Sequence, residues 1–314
     1  NKAAVPAADD PLNEGSSSAE AAFVQQSDLS GTVRYVVNGV GSTKRFGGDG
    51  GPARDALLNF PTAIAVDAEG DVYIADTMNH RIRRVDSRTG LITTIAGVGL
   101  PRFGGDGGPS VAAGLNEPAA LAVHGARLYV ADQSNNRIRM VDLRTGMITT
   151  VAGTGTATFN GDGRHATEAA LAGPSGITVG TDGRLYIADT FNGRIRAVDP
   201  VTGKIETVVG DGGDYRYQGE MEAPSPSLSR PSGIAVDGDG NVLMSDSDNH
   251  LVRRWDRLAG RIDRVAGIGI ASYGGDGKTP LEASLNYPFG IVMDQHNHLF
   301  VADTFNHRIR EIVL

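Results

Sequence analysis

Residues 61–97 read PTAIAVDAEGDVYIADTMNHRIRRVDSRTGLITTIAG, and the same pattern returns four more times. It restarts at Pro118 with PAALAVHGARLYVADQSNNRIRMVD, at Pro174 with PSGITVGTDGRLYIADTFNGRIRAVD and at Pro231 with PSGIAVDGDGNVLMSDSDNHLVRRWD. The fifth copy, PFGIVMDQHNHLFVADTFNHRIREIVL, starts at Pro288. Asp76, Asp132, Asp189, Asp246 and Asp303 anchor the copies at intervals of 56 or 57 residues. Register held that tightly marks a repeat architecture. The first copy contains four short runs, AIAVD, DVYIAD, RIRRVD and LITTIAG, rich in the residues strands prefer. The turn signals AEG, TMNH and SRTG separate them. Such short connections join only antiparallel neighbours, so each copy is expected to be a four-stranded meander. A meander with two apolar faces buries neither by itself. Radial stacking buries both, which makes a β-propeller.

The fifth copy lacks its fourth run, and residues 32–59 supply a match to the missing part. TVRYVVNGVGSTKRFGGDGGPARDALLN parallels LITTIAGVGLPRFGGDGGPSVAAGLN of the first copy. The expected fold is therefore an all-β, five-bladed propeller of four-stranded antiparallel blades over residues 32–314. Its ring is expected to close by pairing a strand at 32–38 with one at 308–313. Residues 1–31 carry one Lys against Asp9, Asp10, Glu14, Glu20 and Asp28 and show no strand alternation. That composition predicts a linker, or a tail ordered by its own propeller or by a neighbouring subunit.

Composition narrows function. The net charge of −8 argues against nucleic acid and anionic lipid as partners, because both are met by basic faces. No run of 18 apolar residues exists, so no membrane-spanning helix is expected. Cysteine is absent, which removes disulfides, cysteine-ligated metal and cysteine nucleophiles. The first residue, Asn1 rather than Met, fits removal of an upstream segment.

The run ADTMNHRIRRVD, with its Asn-His at 79–80, 249–250 and 306–307, resembles the NHL repeat. The linking FGGDGGPARDALLNFP is similar to bacterial secreted NHL arrays and to the NHL propeller of teneurins. The resemblance spans residues 32–314. It implies a propeller that serves as a protein- or ligand-binding or assembly module, in an extracellular or periplasmic setting. The family also contains a lyase whose zinc is held by histidines near the propeller axis. No three of His80, His124, His165, His250, His296, His298 and His307 fall at matching axial positions, so neither a metal nor another cofactor is expected.

Residues common to all blades serve packing first, since a ligand lands only in some places. Phe46, Phe103, Phe159, Tyr217 and Tyr273 precede each GGD element. They either plug the space under their own loop or form an aromatic crown for sugar or proline-rich peptide. Asp49, Asp106, Asp162 and Asp276 give one carboxylate per loop, thin ligation for a metal. The set Asp76, Asn79, Arg81 and Arg83 and its copies are expected to tie neighbouring blades by charge-assisted hydrogen bonds.

Departures from symmetry point to function. The residue before each blade's proline differs in every copy: Phe60, Glu117, Gly173, Arg230, Tyr287. In a meander the second turn and the interblade connection share one end, here called the top rim. These residues are expected there, at the channel mouth. With Phe289 they form the candidate ligand-binding set Phe60, Glu117, Arg230, Tyr287 and Phe289. Unconstrained drift explains the same variability equally well. Met78, Phe191 and Phe305 in the turn, with Tyr215 and Tyr217 in the divergent fourth connection, are the candidate partner-binding residues. The partner class is a protein or a small ligand at the top rim. Catalysis has little support, with neither a GxSxG nor an HExxH element. The alternative is a lyase or hydrolase built on Glu117, Arg230 and Tyr287 as acid–base groups.

Overall fold

A computed structural model describes residues 46–213 and 227–314, together with the backbone of Ala22–Phe23 and Arg34–Tyr35. The chain is an all-β, five-bladed β-propeller, as the repeat predicted. Blade 1 is Pro61–Val66, Val72–Asp76, Arg81–Val85 and Ile92–Ala96, paired antiparallel in chain order from the inner strand outward. Blade 2 starts at Pro118–His124 and ends at Met147–Ala152, with Gly108–Pro109 added outside it. Blade 3 runs from Gly176–Val179 to Ile205–Val209, and blade 4 from Pro231–Val236 to Arg261–Ala266. Blade 5 has three described strands, Pro288–Met293, His298–Asp303 and Arg308–Val313.

The core lies between blades. One cluster joins Tyr73, Ala75 and Ile82 of blade 1 to Leu121, Leu128 and Ile148 of blade 2. Equivalent clusters fill the next three seams. In blades 1–4 the ladder between the third and outer strands slips by one residue, as between Ile82 and Arg83. The irregularity re-aims one side chain. Adjacent residues Ile82 and Arg83 are thereby both fully buried, one in the seam and one beneath the connecting loop.

The fifth seam differs. The inner strands of successive blades pack on each other from blade 1 to blade 5, but the inner strands of blades 5 and 1 make no comparable contact among the described residues. Arg34–Tyr35, the described part of the segment expected to close the ring on 308–313, pairs with Ala22–Phe23. The rest of that segment, most of the tail, and both Tyr215 and Tyr217 lie outside the described residues.

Candidate functional site

Each blade builds its rim from one aspartate. The second strand ends at Asp76, and Thr77–Asn79 form a single tight turn closed by His80 N–H donating to the Thr77 carbonyl at 3.0 Å. Asp76 accepts from the Asn79 side chain at 2.8 Å, from Arg83 at 3.3 Å and from the Asn59 backbone N–H at 2.7 Å. Met78 N–H donates to the Asn59 carbonyl at 3.1 Å. Asn59 is thus clamped on both sides by the turn. The same double clamp holds Asn116, Ala172, Ser229 and Asn286, through Asp132, Asp189, Asp246 and Asp303. Burial pushes the carboxyls of Asp76, Asp132, Asp189 and Asp246 up, while these donors and the arginine oppose it.

The buried arginine completes the unit. Arg83 and Arg139 have no exposed side-chain surface, and each bridges the rim aspartate to the aspartate of the GGDGG loop leading into its own blade. Arg83 reaches Asp49 at 2.7 Å and Arg139 reaches Asp106 at 2.7 Å. The expectation that these ions tie neighbouring blades is corrected: they fasten a blade to its own entry loop. The reason is reach: the Arg83 guanidinium also donates to the Leu57 and Gly47 carbonyls of that loop. The aromatics before GGD lie under the first arginine of the third strand, with Phe46–Arg81 at 3.8 Å, Phe103–Arg137 at 3.8 Å, Phe159–Arg194 at 3.9 Å and Tyr273–Arg308 at 4.0 Å. They brace the loops, which favours the first of the two readings of that set.

The residue after the clamped position is forced into left-handed backbone: Phe60, Glu117, Gly173, Arg230 and Tyr287 have φ of 48–54°. Four of these five are not glycine, a conformation costing about 1–3 kcal/mol each. In blades 2 to 5 the mouth residue meets the central residue of the turn in its own blade. Ser134 donates to Glu117 at 2.5 Å, Arg230 pairs with Asp248 at 3.8 Å, and Tyr287 sits edge-on to Phe305 with ring centres 5.0 Å apart. At Gly173 a methyl group would meet the Phe191 ring at 2.3 Å, so the ring takes the place of a side chain. Phe289 joins Phe305 at 6.3 Å, and Arg230 lies over Phe191 at 5.7 Å. This turn-to-mouth matching was missed in the sequence, because each pair differs chemically and its members stand 17 or 18 positions apart.

The candidate partner-binding residues Met78, Phe191 and Phe305 are 46%, 53% and 55% exposed, and Phe60 is 70% exposed. Glu117, Arg230 and Tyr287 occupy equivalent places in three different blades. No hydrogen bond or ion pair joins them to one another among the described residues. Between blades, His80 Nδ1 accepts the Glu117 N–H at 3.1 Å, Asn136 Oδ1 the Gly173 N–H at 2.9 Å, and His250 Nδ1 the Tyr287 N–H at 3.2 Å. Desolvation holds the His80 and His250 imidazoles below their usual value, which favours the neutral acceptor.

A repeated blade with a variable mouth ring defines a propeller scaffold whose symmetric parts are structural. The chain belongs to the NHL-repeat β-propeller family. The teneurin NHL domain model matches residues 35–103 and 156–219, and the NHL repeat model matches 228–255 and 285–312. It is 31% identical to the chloroplastic protein SUPPRESSOR OF QUENCHING 1 of Arabidopsis thaliana over 88% of this chain and 27% of that protein. It is 25% identical to NHL repeat-containing protein 2 of Gallus gallus over 90% of this chain and 42% of that protein. The chain therefore spans less than half the length of these relatives. A solved nidogen/laminin complex contains a similar fold, with a TM-score of 0.52 at 16% identity, over 83% of this chain and 84% of that one. No helix among the described residues is long and apolar enough to cross a membrane.

Proposed function

We propose that this propeller is a protein-binding module that recognises its partner at the mouth of the top rim. The contact residues are Phe60, Glu117, Arg230, Tyr287 and Phe289, bordered by Met78, Phe191 and Phe305. One observation carries this reading. Gly173 shows that the strained mouth position accepts glycine, yet four blades place a bulky side chain there. Strain of that kind persists where the side chain serves something other than folding. Exposed aromatic and arginine side chains on one rim are also the residue types that anchor protein interfaces. The nidogen/laminin structure supplies a fold-level parallel and no more. The extracellular or periplasmic setting belongs to the same proposal, and fractionation of the native protein tests it.

The experiment replaces Phe60 and Arg230 together by glycine. The variant is expected to unfold in urea at the same or a higher concentration than the parent, because two strained positions are relieved. Proteins that co-purify with the parent are expected to be lost from the variant. Retention of the same proteins at the same yield overturns the reading.

A further inference from the structure

Departures from the repeat coincide at blade 5. Phe289 stands where blades 1, 3 and 4 place Thr62, Ser175 and Ser232. With Tyr287 before its proline and Phe305 at the centre of its turn, blade 5 is aromatic at all three places, as no other blade is. Blade 4 departs to match. It carries Ser245 where the other blades carry Ala75, Ala131, Ala188 and Ala302. The buried Ser245 hydroxyl donates to the Phe289 carbonyl at 2.7 Å and accepts the Gly233 N–H at 2.7 Å. Ser247 donates to the Pro288 carbonyl at 2.6 Å, and His250 accepts the Tyr287 N–H at 3.2 Å. Three side chains of blade 4 thus seat the backbone of Tyr287, Pro288 and Phe289. Seating the backbone in this way lowers the ordering cost of any contact the rings make.

Phe305 stands between the other two rings. Its plane is inclined by 71° to Tyr287, with centres 5.0 Å apart, and by 61° to Phe289 at 6.3 Å. The three rings form a corner of steeply inclined faces, and Phe289 and Phe305 are 37% and 55% exposed. Aromatic faces are electron-rich and attract a cation held within about 6 Å of the ring centre. The top rim uses that attraction repeatedly. Phe46, Phe103, Phe159 and Tyr273 each hold an arginine at 3.8–4.0 Å, and Arg230 lies 5.7 Å over Phe191. Among the described residues no Lys or Arg lies over Tyr287, Phe289 or Phe305. His250 meets the edge of Tyr287 at 4.7 Å, and desolvation favours its neutral form. The net charge of −8 draws basic partners toward the chain from a distance. An aliphatic side chain in the corner gains burial but leaves the electron-rich faces unmatched.

We infer that the corner formed by Tyr287, Phe289 and Phe305 is the anchor subsite of the mouth and takes a cationic side chain of a basic partner protein. The inference rests on the protein-binding reading of the mouth and adds what the partner presents there. The cation packs on the exposed faces of Phe289 and Phe305, as Arg81 and Arg137 pack on Phe46 and Phe103. Arginine is preferred to lysine, because a planar guanidinium stacks on a ring and is less strongly hydrated than an ammonium.

The test titrates the full chain with the peptides acetyl-Gly-Arg-Gly-amide and acetyl-Gly-citrulline-Gly-amide, which differ in charge and hardly in shape. Binding is read by saturation-transfer NMR of the peptide. The arginine peptide is expected to bind about threefold or more tightly than the citrulline peptide, an advantage that shrinks as salt is raised. Phe289→Ser and Phe305→Ser introduce residues that other blades carry at these positions, Ser175 and Ser134, so both variants are expected to fold. Each is expected to remove the advantage. Equal binding of the two peptides by the parent overturns the inference. So does the lack of a saturable signal from either up to about 50 mM, or an arginine preference that survives both substitutions. These outcomes bear on the cation alone, because the mouth as a protein-binding face is tested separately by the glycine variant at 60 and 230.

Discussion

The buried arginines are the residues on which each blade depends most. Arg139 contacts Asp132 at 3.2 Å and Asp106 at 2.7 Å with no exposed side-chain surface. It also donates to the Gly114 and Gly104 carbonyls, so one guanidinium satisfies the entry loop and the rim at once. Removing a single partner from a buried ion pair leaves the other charge stranded, which costs about 3–5 kcal/mol. Arg139→Ala is therefore expected to lose about that much stability in urea denaturation. A loss below about 1 kcal/mol contradicts the role assigned to it. Arg139→Lys is expected to lose a large part as well, since an ammonium cannot fork between two aspartates and two carbonyls.

At the scale of the element, the tight turn does two jobs. Its aspartate holds the residue before the mouth position of its own blade, and in blades 1, 2 and 4 its last residue grips the mouth residue of the next. Where that last residue is histidine, the grip is sensitive to pH. His80 and His250 accept through Nδ1, so protonation converts the acceptor into a donor and breaks the bond. Their folded values lie below the unfolded value of about 6.5, so this contribution is complete above about pH 6.5. It is lost as pH falls from there toward the lowered folded values. The melting temperature is expected to drop between pH 7.5 and 5.5, and less in the double variant H80N/H250N, where asparagine does the work seen at Asn136. Equal drops in both proteins refute the assignment. Blade number, strand order, the rim and the exposure of Met78, Phe191 and Phe305 were legible in the sequence, because period and turn chemistry are local. The matching of Glu117 to Ser134 and Arg230 to Asp248 was not, because it varies from blade to blade. Nor was the greater exposure of Ile64: Ile64 and Ile177 are the same residue at the same position in their repeats, and only the neighbour distinguishes their surroundings.

Taken as a whole molecule, the propeller is a succession of blades that contact only their neighbours, and stability in such arrays is close to a sum of unit and interface terms. Blade 3 has interfaces on both sides. Among the described residues blades 5 and 1 each have one, and blade 5 shows three strands. Strands with fewer packed neighbours open first. Amide exchange is therefore expected to be slowest in Leu185–Asp189 and Arg194–Val198 and fastest in Arg308–Val313. Uniform protection around the blades excludes this picture. The mouth then inherits an unequal rigidity: Gly173 and Phe191 stand on the firmest ground, while Tyr287, Phe289 and Phe305 ride on the segment readiest to let go.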